Sequence, residues 1–369
     1  MISDFEDLLA SVETPALILD EASMQRNLAT MAQFSRDAGV ALRPHAKTHK
    51  CLDIARAQMA RGAIGISCAT VAELSEFAEA KFNELLLTSP VADALKLNRL
   101  AQLMKTTQLS VVVDHADQVK ALTALVDASA IRPRILIDID VGQRRTGVCA
   151  VSAALELASQ IDAAPRLEFA GIQGFAGHVQ HIVNAGERLH ASQNVSKELS
   201  IYAEALRAAG HKVDIITGSG TGASEFDVQG PYTELQVGSY VFMDADYGAT
   251  QRAGGVALPF EPSLFVLATV TSVNRPNEFT VDAGVKALAF NGPPPSHIIG
   301  APEGSTYRFA GDEHGIVTVP KNGRAPALGS RVMVLTTHCD PTVNLHPRYT
   351  VIKSDGRVDV WPVVGRYAF

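Results

Sequence analysis

Residues 134–140 read Arg-Ile-Leu-Ile-Asp-Ile-Asp, a short and almost continuous apolar run that ends in acidic residues. Two similar runs occur at residues 109–114, Leu-Ser-Val-Val-Val-Asp, and at residues 213–217, Val-Asp-Ile-Ile-Thr. Strands that are apolar on both faces are typical of a parallel sheet covered by helices on each side. These runs therefore predict an α/β protein.

The same pattern repeats along the first two thirds of the chain. We count eight apolar strands, and segments with helical spacing separate most of them. The predicted strands are residues 40–42, 63–68, 84–88, 109–114, 134–140, 169–175, 213–217 and 234–243. Eight strand–helix units favour a (β/α)8 barrel, and an open doubly wound sheet is the alternative.

The pattern changes after residue 258, where β-branched segments follow one another between prolines, glycines and asparagines. We predict a barrel domain of residues 15–254 and a C-terminal all-β domain of residues 255–369 together with residues 1–14. An early strand at residues 14–20 precedes the barrel count, and its pairing with the second domain is an open alternative.

The composition excludes several classes of protein. A chain of 369 residues with 47% apolar and 19% charged residues is typical of a soluble globular protein. The formal net charge of -7 and the lack of a long basic run argue against a nucleic-acid partner. No apolar segment approaches the roughly 20 residues that span a bilayer, and the acidic N-terminus does not resemble a signal peptide. We expect a cytoplasmic protein without a membrane partner, whose four scattered cysteines are reduced.

Residues 43–50, Arg-Pro-His-Ala-Lys-Thr-His-Lys, follow the first barrel strand. Loops at the carboxyl ends of the strands form the working face of such a barrel. A lysine crowded by other basic groups has more of the nucleophilic free amine that a Schiff-base lysine needs. Lys47 is therefore a candidate nucleophile, and a solvated basic turn is the alternative.

Three later loops on the same predicted face carry polar residues. Residues 217–222, Thr-Gly-Ser-Gly-Thr-Gly, follow the seventh strand, where barrels often bind phosphate, and a plain flexible loop is the alternative. Phosphate and a Schiff-base lysine on one face together suggest pyridoxal 5′-phosphate. Arg145 is a candidate to lie near the cofactor ring or a substrate carboxylate. His181 is a candidate general base, and a structural role is its alternative.

A segment near the C-terminus, Thr-His-Cys-Asp-Pro-Thr-Val-Asn-Leu-His from Thr337, contains a candidate metal site. In an extended chain His338 and Asp340 point to one side and Cys339 to the other. A histidine with a carboxylate suits Mn²⁺ or Mg²⁺ together with waters. A loop that turned Cys339 inward would favour Zn²⁺ instead.

These segments together resemble the D-threonine aldolase and D-serine dehydratase-like family. Its members are fold-type III pyridoxal-phosphate enzymes built like alanine racemase, with a cofactor-binding barrel and a C-terminal β domain. The matching segments, which cover nearly the whole chain in the family's order, are RPHAKTHK, GQRRTG, TGSGTG, ELQVGSYVFMDADYG and THCDPTVNLH. The resemblance implies a homodimer that acts on a small-molecule substrate.

The resemblance also assigns the cofactor contacts. It implies that Lys47 forms the Schiff base with pyridoxal phosphate and that Arg145 lies beside the cofactor. Gly220, Thr221 and Gly222 would hold the phosphate group.

The remaining implied roles concern the substrate. His181 is expected at the substrate's β-hydroxyl, and His338 with Asp340 is expected to bind a divalent metal, usually Mn²⁺ or Mg²⁺. The dehydratase branch typically has a cysteine at the position of Asp340, so this residue favours the aldolase branch. The aldolases have a tyrosine where this chain has Phe175, and a phenolic hydroxyl is therefore missing here.

The implied activity is a metal-dependent cleavage of D-3-hydroxy-amino acids, such as D-threonine, to glycine and an aldehyde. Two alternatives use the same groups. One is an aldolase for D-3-hydroxyaspartate, and the other is a dehydratase for D-serine or 3-hydroxyaspartate that forms a 2-oxo acid and ammonia. A pyridoxal-phosphate-binding protein without catalytic activity is the third.

Overall fold

The computed structural model describes residues 5–126, 131–252, 254–295 and 297–366. The outermost parts of the predicted second domain, residues 1–4 and 367–369, lie outside the described residues. The rest of the chain forms two sheets, one of eight strands and one of nine. Among the described helices, none is long and apolar enough to cross a membrane.

The first sheet is parallel throughout and closes into a barrel. Its strands are β2 (Ala41–Leu42), β3 (Ile66–Cys68), β4 (Leu85–Leu87), β5 (Leu109–Val113), β6 (Arg134–Asp138), β7 (Glu168–Gly174), β8 (Ile215–Gly218) and β9 (Glu234–Leu235). Neighbours pair in the order β2-β9-β8-β7-β6-β5-β4-β3. A parallel bridge between His45 and Ser67 joins the two ends of this order. The predicted eight-stranded barrel is thus confirmed, and the open sheet is wrong.

Helices cover the outside of the barrel, which is why its strands are apolar on both faces. The longer helices are α2 (Glu21–Ala38), α3 (Leu52–Met59), α4 (Val71–Glu79), α5 (Ala94–Leu103), α6 (Ala116–Leu125), α7 (Val151–Asp162) and α9 (Ala185–Ala208). The short helices are α1 (Phe5–Leu8), α8 (Gly177–Gln180), α10 (Ser224–Asp227), α11 (Ala245–Gly248) and α12 (Cys339–Leu345). Local signals set their ends: Asp20 caps α2 through its carboxylate, and Gly39 ends it with a φ of 68°.

The last predicted barrel strand, residues 234–243, is shorter in the structure. Only Glu234–Leu235 pairs as β9, and a 3-10 helix forms at Ser239–Val241. Met243 has a φ of 48°, a left-handed conformation that a strand does not contain. The apolar run in this segment is buried as a compact turn at the barrel end and not as a strand.

The second sheet is mainly antiparallel and includes the early strand. Its strands are β1 (Ala16–Asp20), β10 (Leu264–Arg275), β11 (Glu278–Val281), β12 (Ile298–Ile299), β13 (Thr306–Phe309), β14 (Gly315–Thr318), β15 (Arg331–Leu335), β16 (Arg348–Ile352) and β17 (Val358–Pro362). Strand β1 pairs antiparallel with β10 and parallel with β16. This pairing assigns Ala16–Asp20 to the second sheet, whereas the predicted boundary at residue 15 assigned the strand to the barrel. The remaining domain boundaries stay predictions.

The second sheet presents one loop to the C-terminal end of the barrel. The Asp244 carboxylate, just past the last barrel segment, accepts a hydrogen bond of 2.8 Å from the backbone N–H of Cys339. The backbone N–H of Ala245 donates to the carbonyl of Thr336 at 3.0 Å. The Tyr349 hydroxyl donates to the carbonyl of His49 at 2.5 Å. These contacts hold the start of α12 over the loop that contains Lys47.

Candidate active site

Lys47 lies in a short 3-10 helix, Ala46–Thr48, directly after strand β2. The side chain of His45 caps this turn by accepting a hydrogen bond from the backbone N–H of Lys47. The Lys47 ammonium lies 3.3 Å from Oδ2 of Asp340 and 5.7 Å from the centre of the Phe175 ring. The turn therefore aims the lysine into the barrel mouth, towards the second sheet.

The basic neighbours of Lys47 are not gathered around it as the sequence suggested. Arg43 forms a buried ion pair with Glu234, with Nε 2.9 Å from Oε1, and Lys50 pairs with Glu73 at 2.6 Å.

The two histidines of the same loop are buried. Burial lowers the pKa of His45 well below its usual value, and the ammonium of Lys47 adds to this effect. Burial also lowers the pKa of His49, to about 4. The charged partner of Lys47 is therefore the Asp340 carboxylate, and the predicted crowding of Lys47 by charged Arg43 and Lys50 is wrong.

The glycine-rich loop forms a buried turn beside this lysine. Ser219 has a φ of 69°, and Gly220 and Thr221 line the same cavity as Lys47. In the described part of the chain, the backbone N–H groups of Gly220, Thr221 and Gly222 donate to no protein acceptor. Buried N–H groups rarely stay without an acceptor, so the turn is suited to an anion such as a phosphate.

Gln180 explains why two of these positions are glycines. A Cβ atom on Gly220 would lie 2.6 Å from Oε1 of Gln180, and one on Gly222 would lie 2.0 Å from its carbonyl oxygen. Gln180 Oε1 also accepts a hydrogen bond of 3.0 Å from the backbone N–H of Ala223. The close approach fixes the turn against helix α8, which precedes His181.

The cavity between these loops has hydroxyl, amide and aromatic walls. Its lining consists of His45, Lys47, Thr48, Ala69, Thr88, Ser89, Arg145, Gln173, Phe175, Gly220, Thr221, Gln236, Gly238, Ser239 and Tyr247. Below it, the Gln173 amide donates to Asp138 at 2.8 Å, and the Gln236 amide donates to Gln173 at 3.1 Å. Burial raises the pKa of Asp138, although Gln173 and Thr146 donate hydrogen bonds to it.

Arg145 and Phe175 form one wall of the cavity. The guanidinium carbon of Arg145 lies 5.6 Å from the centre of the Phe175 ring, within the range of a cation–π contact. Since the Lys47 ammonium also lies near this ring, Phe175 has two cations within reach. Arg145 is exposed, so its guanidinium is accessible from the mouth of the cavity.

His181 forms a pair with Asp246 at the same mouth. Its Nδ1 lies 2.8 Å from Oδ2 of Asp246, and this hydrogen bond raises the pKa of His181 and lowers the pKa of Asp246. The His181 ring lies 4.9 Å from the ring of Tyr247, a cavity residue, and 6.4 Å from the ring of His338. The histidine therefore lies where the barrel and the second sheet meet.

His338 and Asp340 belong to the start of helix α12. His338 directly precedes the helix without a capping hydrogen bond from its side chain, and its Nδ1 lies 3.0 Å from the side-chain amide of Asn291. Because the helix begins at Cys339, the chain is not extended from His338 to Asp340, and the predicted alternation of their side chains does not occur. Cys339 is buried, and burial raises its pKa well above the usual value.

Asp340 is negatively charged in this setting. Burial by itself would raise the pKa of Asp340, but the Lys47 ammonium and His338 outweigh it and the pKa falls to about 2. Within the described residues, no group of three or more His, Cys, Asp or Glu side chains is arranged to hold a metal ion. The chain itself thus offers one imidazole and one carboxylate, and the assignment of a metal to them stays a prediction.

Several residues that shape this site had no predicted role. Asp246 contacts His181, Asn291 contacts His338, and Gln180 fixes the glycine-rich turn. Asp246 lies in a segment that the family resemblance covers, and its acidic character next to the last strand was a usable signal. Asn291 and Gln180 have no such signal, because only the fold brings them to their partners.

Comparison with known proteins agrees with this architecture. The family described as "Alanine racemase, N-terminal domain" matches residues 19–246, which is more than half of the chain. The chain belongs to this family. A second family, "Putative serine dehydratase domain", matches residues 263–352 and so covers most of the second sheet of this alanine racemase-like protein.

Similar proteins include an aldolase and a dehydratase. The chain is 42% identical to a D-threonine aldolase of Arthrobacter sp., over 98% of this chain and 94% of the relative. It is 31% identical to a D-threo-3-hydroxyaspartate dehydratase of Delftia sp., over 96% and 98% of the two chains. The crystal structure of D-threonine aldolase from Filomicrobium marinum superposes with a TM-score of 0.91 at 36% identity, and the match covers 97% of each chain.

These findings show that the protein is an enzyme of the D-threonine aldolase and D-serine dehydratase-like family. Pyridoxal 5′-phosphate is the cofactor of fold-type III enzymes. The site fits it, because the N–H groups of Gly220 and Thr221 at the cavity wall have no acceptor among the described residues, and the amine of Lys47 enters the same cavity from another loop.

Proposed function

We propose that the protein is a pyridoxal-phosphate-dependent aldolase that cleaves D-3-hydroxy-amino acids such as D-threonine to glycine and an aldehyde. The observation that carries this proposal is the position of His181. This histidine is held by Asp246 and faces His338 beside the cavity that Lys47 enters. A base at this place suits the removal of a proton from a β-hydroxyl, which is the step that starts cleavage between Cα and Cβ.

Five residues are proposed to hold the cofactor. Lys47 would hold the aldehyde end of the cofactor through its amine, and the N–H groups of Gly220, Thr221 and Gly222 would hold its phosphate. Arg145 with the Phe175 ring forms the wall beside it. When bound, the cofactor supplies an electron sink for the electron pair left at Cα.

His181 is proposed as the general base at the substrate hydroxyl. Asp246 occupies its Nδ1, which leaves Nε2 to accept the hydroxyl proton. The negative charge of Asp246 also stabilises the imidazolium that forms. The two residues together hold the proton at a fixed atom while the carbon–carbon bond breaks.

His338 and Asp340 are proposed to hold a divalent cation, Mn²⁺ or Mg²⁺, with Zn²⁺ as the alternative. One imidazole and one carboxylate leave room for waters or substrate oxygens in an octahedral shell. The ion would supply Lewis-acid polarisation of the β-hydroxyl group there. The carboxylate of Asp340 would then be shared between the cation and Lys47.

Two observations support a second substrate. The accessible guanidinium of Arg145 suits a side-chain carboxylate. In addition, this chain is 34% identical, over 97% of its own length, to a 3-hydroxy-D-aspartate aldolase of Paracoccus denitrificans. D-3-Hydroxyaspartate is therefore the alternative aldol substrate, with glyoxylate and glycine as its products. A homodimer in the cytoplasm completes the proposal, by analogy with the family.

The test is a product assay with D-threonine, pyridoxal phosphate and Mn²⁺, beside a sample treated with EDTA. Acetaldehyde and glycine in equal amounts, lost with EDTA, are the expected result. 2-Oxobutanoate and ammonia would reject the aldolase in favour of the dehydratase. Turnover of D-3-hydroxyaspartate without turnover of D-threonine would assign the second substrate.

A further inference from the structure

Arg188 is a fully buried arginine that no proposed step uses. It lies in the first turn of helix α9, and its side chain is 0% exposed. A buried charge is costly, and a cation at a helix N-terminus also opposes the helix dipole. Burial accordingly lowers the pKa of Arg188, despite the neighbouring Glu225. An arginine under these conditions needs a compensating set of contacts.

The guanidinium contacts three segments. Nη1 donates to the carbonyl of Ile182 at 2.5 Å and to that of Val183 at 3.3 Å, and Nη2 donates to the carbonyl of Gln251. Oε1 of Glu225 lies 3.6 Å from Nη2. The guanidinium carbon of Arg188 lies 5.4 Å from the centre of the Phe226 ring, so this ring covers one face of the guanidinium.

Two of these segments belong to the active-site loops. Ile182 and Val183 directly follow His181, and Gln251 ends the segment that begins with Asp246. The backbone N–H of Gln251 also donates to the carbonyl of Val183, at 3.4 Å. The planar guanidinium thus ties the loop of the general base to the loop of its carboxylate partner.

We propose that Arg188 is a positioning residue that holds His181 against Asp246 by joining the backbones of their two loops. The inference rests on the proposed function of His181 as the base. Arg188 itself does not face the cavity, and its effect on the reaction passes through the histidine. Misplacement of a catalytic group by about 1 Å lowers the rate by roughly 10²-fold, so such a clamp has a measurable effect.

Substitution Arg188→Lys keeps the charge but loses the planar fork, and one ammonium cannot reach all three carbonyls. The first readout is amide hydrogen exchange of the cofactor-loaded enzyme. We expect exchange to become about tenfold faster in residues 181–183 and 249–252, with the barrel strands unchanged. Unchanged exchange in both loops would overturn the proposal.

Arg331 provides a matched control in the second sheet. Its guanidinium also donates to three backbone carbonyls, those of Leu9 and Val12 at 2.6 Å and that of Ala10 at 3.2 Å. Arg331→Lys should accelerate exchange near these carbonyls and leave kcat unchanged. A fall in kcat as large as that of Arg188→Lys would mean that any loosened backbone lowers activity, and would reject a specific role for Arg188.

A double-mutant cycle then tests whether the effect passes through His181. Arg188→Lys should lower kcat by 10-fold to about 100-fold with KM nearly unchanged, and should have no further effect in a His181→Asn background. Equal factors in both backgrounds would contradict the proposal. If Arg188→Lys does not fold, Glu225→Gln is the second variant. It removes the carboxylate that lies beside the Arg188 guanidinium and that also pairs with Arg252, and it is expected to give the same pattern with smaller changes in kcat.

The two hypotheses fail in different experiments. If the wild-type enzyme cleaves no 3-hydroxy-amino acid, the proposed function is rejected, while the exchange measurement still decides whether Arg188 joins the two loops. If turnover occurs and the exchange rates of both loops are insensitive to Arg188→Lys, the clamp is rejected and the function stands.

Discussion

The ammonium of Lys47 lies 3.3 Å from Oδ2 of Asp340, although the two residues come from opposite ends of the chain, one from the 3-10 helix after β2 and the other from helix α12. One group belongs to the proposed cofactor site and the other to the proposed metal site. The contact means that the two sites share a boundary in this protein. A substitution of Lys47 is therefore expected to affect the proposed metal site, and a substitution of Asp340 is expected to affect the proposed cofactor site.

Replacing Lys47 by Ala should remove the Schiff base and with it the visible absorption of the bound cofactor. We expect kcat to fall by at least about 10³-fold, because the covalent attachment is lost. Absorption spectra and the aldehyde assay measure the two effects. Lys96→Ala, on exposed helix α5, is the control and should change neither. Retained visible absorption in Lys47→Ala would assign the Schiff base elsewhere.

Substituting Asp340 by Asn should weaken binding of Mn²⁺ by at least about 10-fold to 100-fold, since a charged ligand becomes a neutral amide. Calorimetric titration of the cofactor-loaded enzyme measures the affinity. Asp312→Asn, in the exposed turn between β13 and β14, should leave the affinity unchanged. An equal affinity in the wild type and in Asp340→Asn would exclude this carboxylate from the metal site.

Phe175→Tyr restores the phenol that the related aldolases have. The new hydroxyl lies at the cavity wall, and one additional hydrogen bond of about 1 kcal/mol corresponds to a rise of about fivefold in kcat/KM with D-threonine. Phe175→Leu removes the ring from Lys47 and Arg145 and should weaken cofactor retention instead. A decrease of kcat/KM in Phe175→Tyr would show that the cavity has no room for the added hydroxyl group.

His49 should make the free energy of unfolding depend on pH. Its pKa is about 4 in the folded protein, against 6.5 in the unfolded chain, so the unfolded state takes up a proton first as the pH falls. Stability is complete above pH 6.5 and decreases towards pH 4, by on the order of 3 kcal/mol, at about 1.4 kcal/mol per unit of pKa.

The measurement is urea unfolding between these pH values. His49→Asn keeps an acceptor for the backbone N–H of Cys51 and should remove this part of the pH dependence. His190→Asn, on the exposed side of helix α9, should retain it. Identical pH profiles for the wild type and His49→Asn would contradict the assignment.

Glu234→Gln should destabilise the fold strongly. Arg43 and Glu234 are 3% and 4% exposed, and removal of one charge leaves the other buried without its partner, at a cost of about 3–5 kcal/mol. The pair between Arg26 and Glu261 is about half exposed, so Glu261→Gln should cost less than about 1 kcal/mol. Denaturant unfolding of both variants gives the comparison, and equal losses would show that burial does not matter here.

Local sequence patterns accounted for most of the elements. Continuous apolar runs predicted the parallel strands, because a strand buried on both faces has no polar side, and Lys47 lies just past β2 as expected. The patterns failed at residues 234–243 and at His338. In both places a short helix or turn is stabilised by contacts from distant segments, such as the hydrogen bond from Cys339 to Asp244.

The sequence by itself determined the fold class, the family and the residue types of the site, since these depend on local periodicity and on motifs with fixed spacing. Only the tertiary structure decided which charges meet. It paired Arg43 and Lys50 with buried carboxylates, brought Asp340 to Lys47, and joined the loops of His181 and Asp246 through Arg188. The physical reason is that burial and distance set the strength of an ionic contact, and both follow from how the second sheet packs over the barrel mouth.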